Sequence, residues 1–201
     1  MISIINGSET LIIVIHEIYG INRHMQHICQ SLADHDFDVI CPNLLVQEVP
    51  FDYANEETAY RHFMENVGFI KASNQIKQLV FDKRANYKKV FLAGFSVGAT
   101  AAWLCSEEPE VDGIAAYYGS RIRNYTELLP KCPTILFFPQ EELSFHVDDL
   151  ISILSKNDAN EIHKFSGQHG FSDPYSHKYN EQSAQKAFSE MVGFFHNIER
   201  F

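Results

Sequence analysis

The stretch that decides the fold is VFLAGFSVGATAAW, residues Val90–Trp103. Its apolar start, Val90–Ala93, predicts a buried strand, and the small residues from Ala99 onward predict a helix. Between them stands the pattern G-x-S-x-G, which is typical of a strand–turn–helix bend that projects a serine hydroxyl from the end of a sheet. Glycines suit this bend because Cβ atoms there would collide with neighbouring backbone. Ser96 is therefore the candidate nucleophile.

Strands and helices alternate along the rest of the chain. Further strands are predicted at Ile2–Ile5, Leu11–Ile15, Phe37–Cys41, Val111–Tyr118, Thr134–Phe138 and Glu161–Phe165. Helices are predicted at Asn22–Asp34, Glu56–Phe81, Val97–Cys105, Val147–Ser155 and Ser183–Ile198, with Gly68 the weak point of the longest. The alternation predicts an α/β protein with a mainly parallel central sheet and helices on both faces. Since no linker or repeat interrupts it, we expect a single domain over residues 1–201.

Composition restricts the classes of partner. The chain has 201 residues and a formal net charge of −10, which disfavours binding to phosphate backbones and to anionic membranes. No apolar stretch reaches the ~20 residues that a membrane span needs. The first residues also lack the basic start and cleavage site of a signal peptide. We therefore expect a cytoplasmic protein without a nucleic-acid or membrane partner.

The cysteines and histidines do not predict a metal site. No C-x-x-C pair occurs, so we expect free, buried thiols at Cys29, Cys41, Cys105 and Cys132. The ten histidines show no ligand spacing beside cysteines. His24 and His27 are three residues apart on a predicted helix and could share a face, but solvated or core histidines explain this spacing. Neither a metal nor a cofactor is expected.

A serine hydroxyl is a poor nucleophile until a base removes its proton, and a third group must orient that base. After a G-x-S-x-G bend the expected chain order is serine, acid and then histidine. His169 lies in the glycine-rich loop GQHGF, residues 167–171, after a late strand. His163 lies inside that strand, and His177 and His196 lie in a polar loop and on the closing helix. His169 is therefore the candidate base.

The candidate acids follow the predicted strand Thr134–Phe138. They are Glu141, Glu142, Asp148 and Asp149. The two aspartates begin a predicted helix, where acidic side chains are favoured without any catalytic role. Glu142 is the preferred acid, and Glu141 remains an open alternative.

A second informative loop, HEIYG at residues 16–20, directly follows a predicted buried strand. A loop in this place can donate a backbone N–H to an oxyanion, beside the N–H of the residue after the nucleophile. By position these donors are Ile18 and Val97. An acid so close to an apolar strand is unusual, so Glu17 either binds loop amides or takes part in the site.

Taken together, these motifs resemble the dienelactone hydrolase family of α/β-hydrolases over nearly the whole chain. The resemblance rests on HEIYG at 16–20 followed by Asn22, CPNL at 41–44, GFSVG at 94–98, YYG at 117–119 and QHGF at 168–171. It implies the α/β-hydrolase fold, with Ser96 as nucleophile and His169 as base. The resemblance also implies oxyanion donors at Ile18 and Val97, and a Glu17 carboxylate that contacts the nucleophile.

Three departures from the family pattern bear on activity. The best-known members carry a cysteine nucleophile, and the serine here points to ordinary esterase chemistry or to lost activity. The family acid lies in a Gly-x-x-Asp segment, whereas the matching stretch here is PQEE at 139–142. Members that cleave dienelactone hold its carboxylate with arginines, one of them shortly after the histidine, where this chain has Asp173. An anionic lactone would be repelled there.

The sequence thus predicts a serine hydrolase that acts on small ester, lactone or related acyl substrates through a covalent acyl-serine. Specificity is expected from the irregular segment Leu45–Asn55, the helix after it and the loop Ser172–Asn180. Three alternatives remain: acyl transfer or thioester hydrolysis on the same fold, a degenerate member that binds a small ligand without turnover, and an interaction protein with exposed aromatic residues. The oligomeric state is left open.

Overall fold

The apolar run before Ser96 forms the central strand of a sheet in the computed structural model, which describes residues 1–45 and 47–198. Within these residues the sheet has seven strands: β1 (Ile2–Ile4), β2 (Thr10–Ile15), β3 (Asp38–Cys41), β4 (Lys89–Phe95), β5 (Gly113–Tyr117), β6 (Thr134–Pro139) and β7 (Asn160–Phe165). Their order across the sheet is β1-β3-β2-β4-β5-β6-β7. β1 pairs with β3 in the antiparallel sense, and every other pairing is parallel. The predicted mainly parallel sheet is confirmed.

Helices cover both faces of this sheet, as predicted. They are α1 (Arg23–Ala33), α2 (Glu56–Asn66), α3 (Gly68–Arg84), α4 (Val97–Trp103), α5 (Val147–Leu154) and α6 (Glu181–Asn197). Alternate residues of β2 enter two separate cores, because successive strand side chains point to opposite faces. Ile12 and Val14 pack with α1 and α6, whereas Ile13 and Ile15 pack with the four other helices. All four cysteines are buried and free.

The prediction of one long helix over Glu56–Phe81 is wrong. The segment forms two helices, α2 and α3, because Val67 leaves the helical region with φ −120° and ψ −72°. Gly68 then adopts φ +68°, a left-handed conformation that glycine takes without a Cβ penalty. The chain therefore changes direction between α2 and α3. Before α2, the predicted irregular segment includes a 3₁₀ turn at Tyr53–Asn55.

Parts of two predictions lie outside the described residues. Val46 belongs to the irregular segment Leu45–Asn55, and residues 199–201 belong to the expected single domain. That one domain spans residues 1–201 stays a prediction. In the described part of the chain, no helix combines the length and apolarity needed to cross a membrane.

The turn after β4 brings α4 into direct contact with β2. A Cβ atom built on Gly98 would overlap the carbonyl oxygen of Ile15, and one built on Gly94 would overlap the carbonyl oxygen of Gly98. These neighbours are backbone atoms, which cannot rotate away as a side chain does. The two glycines of the motif therefore set how closely the start of α4 approaches the sheet.

We expect Gly98→Ala to lower the free energy of unfolding by about 2–3 kcal/mol, because the methyl group has no space against β2. Gly193→Ala is the matched control, since Gly193 also lies in a helix but has open space around its Cβ position. The control should gain up to about 1 kcal/mol from helix propensity. Urea unfolding of both variants measures the difference. Equal stability of the two would contradict this account of the close contact.

Candidate active site

Ser96 sits at a sharp turn between the end of β4 and the start of α4. Its backbone has φ +54° and ψ −113°, a conformation that is sparsely populated for residues other than glycine. The turn is held from both sides: the Ser96 N–H donates to the Tyr117 carbonyl at 3.0 Å, and the Ala99 N–H donates to the Ser96 carbonyl at 3.1 Å. The bend places the Ser96 hydroxyl at the carboxyl end of the central strand.

Ser96, His169 and Glu142 form one chain of polar contacts. Ser96 Oγ lies 2.8 Å from His169 Nε2, and His169 Nδ1 lies 2.6 Å from Glu142 Oε1. The His169 side chain is 31% exposed and that of Glu142 is 8% exposed, so the acid is sheltered while the imidazole is accessible. The structure therefore brings together the three residues that the sequence singled out. Their contacts are those expected between a nucleophile, a base and an orienting acid.

His169 is carried by a tightly folded loop after β7. Gly167 and Gly170 have φ +116° and φ +85°, and these left-handed turns favour glycine. Phe171 is fully buried and anchors the loop in the core beneath it. The Gln140 N–H donates to the Gly167 carbonyl at 3.1 Å, which joins the loop after β6 to the loop that carries His169. Base and acid are thereby fixed relative to each other.

The structure distinguishes Glu142 from Glu141. Glu142 pairs with Phe145 in an isolated antiparallel bridge, and the Arg123 guanidinium lies 4.9 Å from the centroid of the Phe145 ring. This packing holds the Glu142 loop against the body of the protein. Glu141 is an exposed residue on the same cavity wall. Of the two acids, the described contact with His169 belongs to Glu142.

The two candidate oxyanion donors lie on the same cavity as Ser96. Ile18 belongs to the loop after β2, and Val97 is the first residue of α4. The N–H groups of a first helical turn have no carbonyl partner within their helix, so the Val97 N–H is available to a ligand. The structure thus places Ile18 and Val97 beside the nucleophile, and their role as donors stays a prediction.

A cavity of about 680 Å³ opens in front of Ser96. Its wall combines aromatic side chains from the segment before α2 and from α2 itself with charged groups from several loops. Six carboxylates line it: Glu17, Glu56, Glu57, Glu141, Glu142 and Asp173. The cationic side chains on the wall are Arg121 and Lys178. The cavity has the size of a small-molecule site and an excess of negative charge.

Residues 5–199 match the sequence profile of the dienelactone hydrolase family. The chain belongs to this family. An uncharacterized protein of Bacillus subtilis, YczH, is 41% identical over 183 residues, which cover 90% of each chain. The carboxymethylenebutenolidase of Pseudomonas putida is 26% identical over 134 residues, 60% of this chain and 55% of that one.

Solved structures show the same fold. A dienelactone hydrolase-like promiscuous phosphotriesterase from metagenomic libraries superposes with a TM-score of 0.76 at 15% identity, covering 96% of this chain and 88% of that one. The predicted family resemblance and the α/β-hydrolase fold are both confirmed. Membership of the dienelactone hydrolase family indicates a hydrolase.

His16, the first residue of the HEIYG motif, holds this loop in place. Burial lowers the pKa of His16 to about 4, although a hydrogen bond to the Glu17 carbonyl acts in the opposite direction. The neutral ring donates from Nδ1 to that carbonyl at 2.7 Å, and Nε2 accepts from the Leu44 N–H at 2.9 Å. His16 therefore connects the loop that carries Ile18 to the CPNL motif at 41–44.

Glu17 lines the same cavity as Ser96, and its described polar contacts are with Tyr118 and His24. Its Oε1 accepts from the Tyr118 hydroxyl at 3.0 Å, and its Oε2 lies 3.9 Å from His24 Nδ1. Burial raises the pKa of Glu17, but His24, His169 and Tyr118 outweigh this effect and the pKa lies below its usual value. Glu17 is therefore a buried carboxylate, and its expected contact with the nucleophile stays a prediction.

Sequence reasoning missed a cluster of residues around Glu17. Tyr118 was part of the YYG motif but had no assigned role; burial raises the pKa of its hydroxyl well above the usual value, so the group stays a donor. Asp173 Oδ2 accepts from the Tyr53 hydroxyl at 2.5 Å and lies 3.8 Å from His24 Nδ1. The sequence did give a signal for Asp173, because this residue follows His169 closely, where members that cleave dienelactone carry an arginine. His24 carried no signal of this grouping, because its neighbours come from distant parts of the chain.

Proposed function

We propose that this protein hydrolyses small esters, lactones or related acyl substrates through a covalent acyl-serine intermediate. The observation that carries the proposal is the chain of contacts from Ser96 through His169 to Glu142, at 2.8 Å and 2.6 Å, facing a cavity of about 680 Å³. Family membership supports it, as does the relative of Pseudomonas putida named carboxymethylenebutenolidase. A cytoplasmic location stays an expectation from composition.

In the acylation step Ser96 Oγ attacks the carbonyl carbon of the substrate while its proton passes to His169 Nε2. Glu142 Oε1 accepts a hydrogen bond from His169 Nδ1, which keeps the other ring nitrogen free to take that proton. The carbonyl oxygen becomes an oxyanion and accepts hydrogen bonds from the N–H groups of Ile18 and Val97. Collapse of this intermediate breaks the acyl–oxygen bond, and His169 gives its proton to the leaving alcohol.

Deacylation repeats these steps with water. His169 Nε2 removes a proton from a water molecule as its oxygen attacks the acyl carbon of the ester on Ser96. The second oxyanion accepts hydrogen bonds from the same two N–H groups. When this intermediate collapses, His169 Nε2 returns the proton to Ser96 Oγ. The products are a carboxylic acid and free enzyme. For a lactone the leaving alcohol stays attached to the acyl group, and one hydroxy acid is released.

Substrate selection in this proposal comes from the wall opposite Ser96. Tyr53 from the irregular segment, Tyr60 from α2 and Lys178 from the loop after His169 all reach the cavity. These are the three regions that the sequence analysis expected to set specificity. The excess of carboxylates on the wall disfavours anionic substrates, because like charges repel most strongly where burial lowers the effective dielectric constant.

The first prediction concerns the nucleophile. A fluorophosphonate probe should add once to the native protein, and Ser96→Ala should show no adduct, because the probe reacts with an activated serine. Intact-mass spectrometry measures the adduct, and circular dichroism shows that the variant is folded. Absence of an adduct on folded native protein would overturn the proposal and favour a member that binds a ligand without turnover.

The second prediction separates the two glutamates. Glu142→Ala should lower kcat for a short-chain ester by about 10²–10⁴-fold, since the imidazole loses its orienting acid. Glu141→Ala is the matched control and should stay within about threefold of the native rate, because Glu141 is exposed and lies outside the described contacts of His169. If the larger loss followed Glu141→Ala, the acid would have to be reassigned.

The third prediction concerns charge. Mono-p-nitrophenyl glutarate should have a kcat/KM about tenfold below that of p-nitrophenyl pentanoate, because its terminal carboxylate meets the acidic wall. The gap should shrink as salt is added, since ions screen exposed charges. Steady-state kinetics at low and high ionic strength provide the test. A preference for the glutarate ester would mean that Arg121 and Lys178 dominate the wall.

A further inference from the structure

Three buried side chains converge beside the active-site cavity. Glu17 comes from the loop after β2, His24 from the first turns of α1 and Asp173 from the loop that carries His169. One ligand atom of each lies within 4.8 Å of the others. The three residues are 5%, 0% and 1% exposed. We call them the Glu17–His24–Asp173 group.

His24 is the unusual member of this group. Neither of its ring nitrogens has a hydrogen-bond partner among the described residues, although the side chain is fully buried. Its Nδ1 lies 3.9 Å from Glu17 Oε2 and 3.8 Å from Asp173 Oδ2. These distances exceed those of direct hydrogen bonds, and an unpaired buried polar group is costly. The spacing therefore leaves room for a further atom between the three ligand atoms.

The other sides of both carboxylates are already occupied. Glu17 Oε1 accepts from the Tyr118 hydroxyl at 3.0 Å, and Asp173 Oδ1 accepts from the Tyr175 N–H at 2.9 Å. The Tyr53 hydroxyl donates to Asp173 Oδ2 at 2.5 Å. These contacts orient the carboxylates in the way that outer hydrogen bonds orient metal ligands. Glu17 Oε2 and Asp173 Oδ2 keep lone pairs for a cation facing His24 Nδ1.

We propose that the Glu17–His24–Asp173 group binds a divalent first-row transition-metal ion. Two adjacent buried carboxylates are stabilised by a neighbouring positive charge, which a divalent cation between them and His24 supplies. One imidazole and two carboxylates form a donor set that suits zinc and its neighbours, whereas magnesium and calcium prefer oxygen ligands alone. His24 Nδ1 lies 3.9 Å from Glu17 Oε2 and 3.8 Å from Asp173 Oδ2, so an ion about 2.1 Å from His24 Nδ1 can also lie about 2.1 Å from either carboxylate oxygen.

The cavity gives the ion a route to the site, because Glu17 and Asp173 both line it. The bound ion would join the loop that carries Ile18 to the loop that carries His169, with α1 as the third point of attachment. It has no part in the acyl-serine steps proposed above, so the inference goes beyond that function. His27, which the sequence placed near His24, is exposed and lies outside the group.

The test is to treat the protein with a chelator, dialyse it and titrate it with Zn²⁺ alone. Isothermal titration calorimetry measures the affinity and the number of binding sites. We expect one tight site in the native chain, and at least 100-fold weaker binding in both His24→Gln and Asp173→Asn. Two variants are used so that one remains informative if the other fails to fold. His163→Gln is the matched control, because ligand atoms of Glu161, His163 and Glu190 also lie within 4.8 Å of one another, in a more exposed group. It should leave the tight site unchanged.

Thermal unfolding gives a second readout. Zn²⁺ should raise the melting temperature of the native chain and of His163→Gln, but not that of folded His24→Gln, since a ligand that binds only the native state stabilises it. A tight site that survives both His24→Gln and Asp173→Asn, a site lost in His163→Gln, or no tight site at all would overturn the proposal. Fluorophosphonate labelling of the same samples reports Ser96 separately, so failure of the hydrolase proposal is distinguishable.

Discussion

The active site depends on the contact between the first turn of α4 and the backbone of β2. Gly98 lies against the Ile15 carbonyl, and this contact helps to hold Ser96 in its left-handed conformation at the carboxyl end of β4. Burial of β4 between two parallel neighbours keeps the base of the turn fixed. A strained residue persists only where its surroundings determine it fully. Here the constraint comes from backbone on both sides of the turn.

The other functional groups of the site also lie at the carboxyl ends of parallel strands. The loops after β2, β6 and β7 carry Ile18, Glu142 and His169, and each loop begins at the carboxyl end of its strand. Side chains separated by 73 residues, such as Ser96 and His169, are thereby brought within 2.8 Å. The strands form the rigid scaffold, and the loops at their carboxyl ends carry most of the functional groups. The loops can therefore vary while the position of Ser96 is preserved.

Much of this arrangement could be predicted from local sequence, and the exceptions have physical causes. Apolar runs located every strand, and the glycine–serine pattern located the Ser96 turn because its constraint lies within five residues. Gly68 was visible as a weak point, but a helical pattern alone does not reveal that one residue will turn left-handed. Glu17, His24 and Asp173 each drew notice in the sequence, but their grouping could not be predicted, because they lie up to 156 residues apart and only the folded sheet brings them together. Untested roles, including those of the oxyanion donors, remain predictions.

The hydrogen bonds of His16 restrict which residues can replace it. The buried ring must donate on one side, to the Glu17 carbonyl, and accept on the other, from the Leu44 N–H. A lysine side chain offers only donors, and an ionised carboxylate offers only acceptors. A carboxamide offers both and carries no charge. Position 16 therefore selects for a neutral, two-sided hydrogen-bonding group, so a histidine that sits beside an active site serves here for its shape and polarity and not for its basicity.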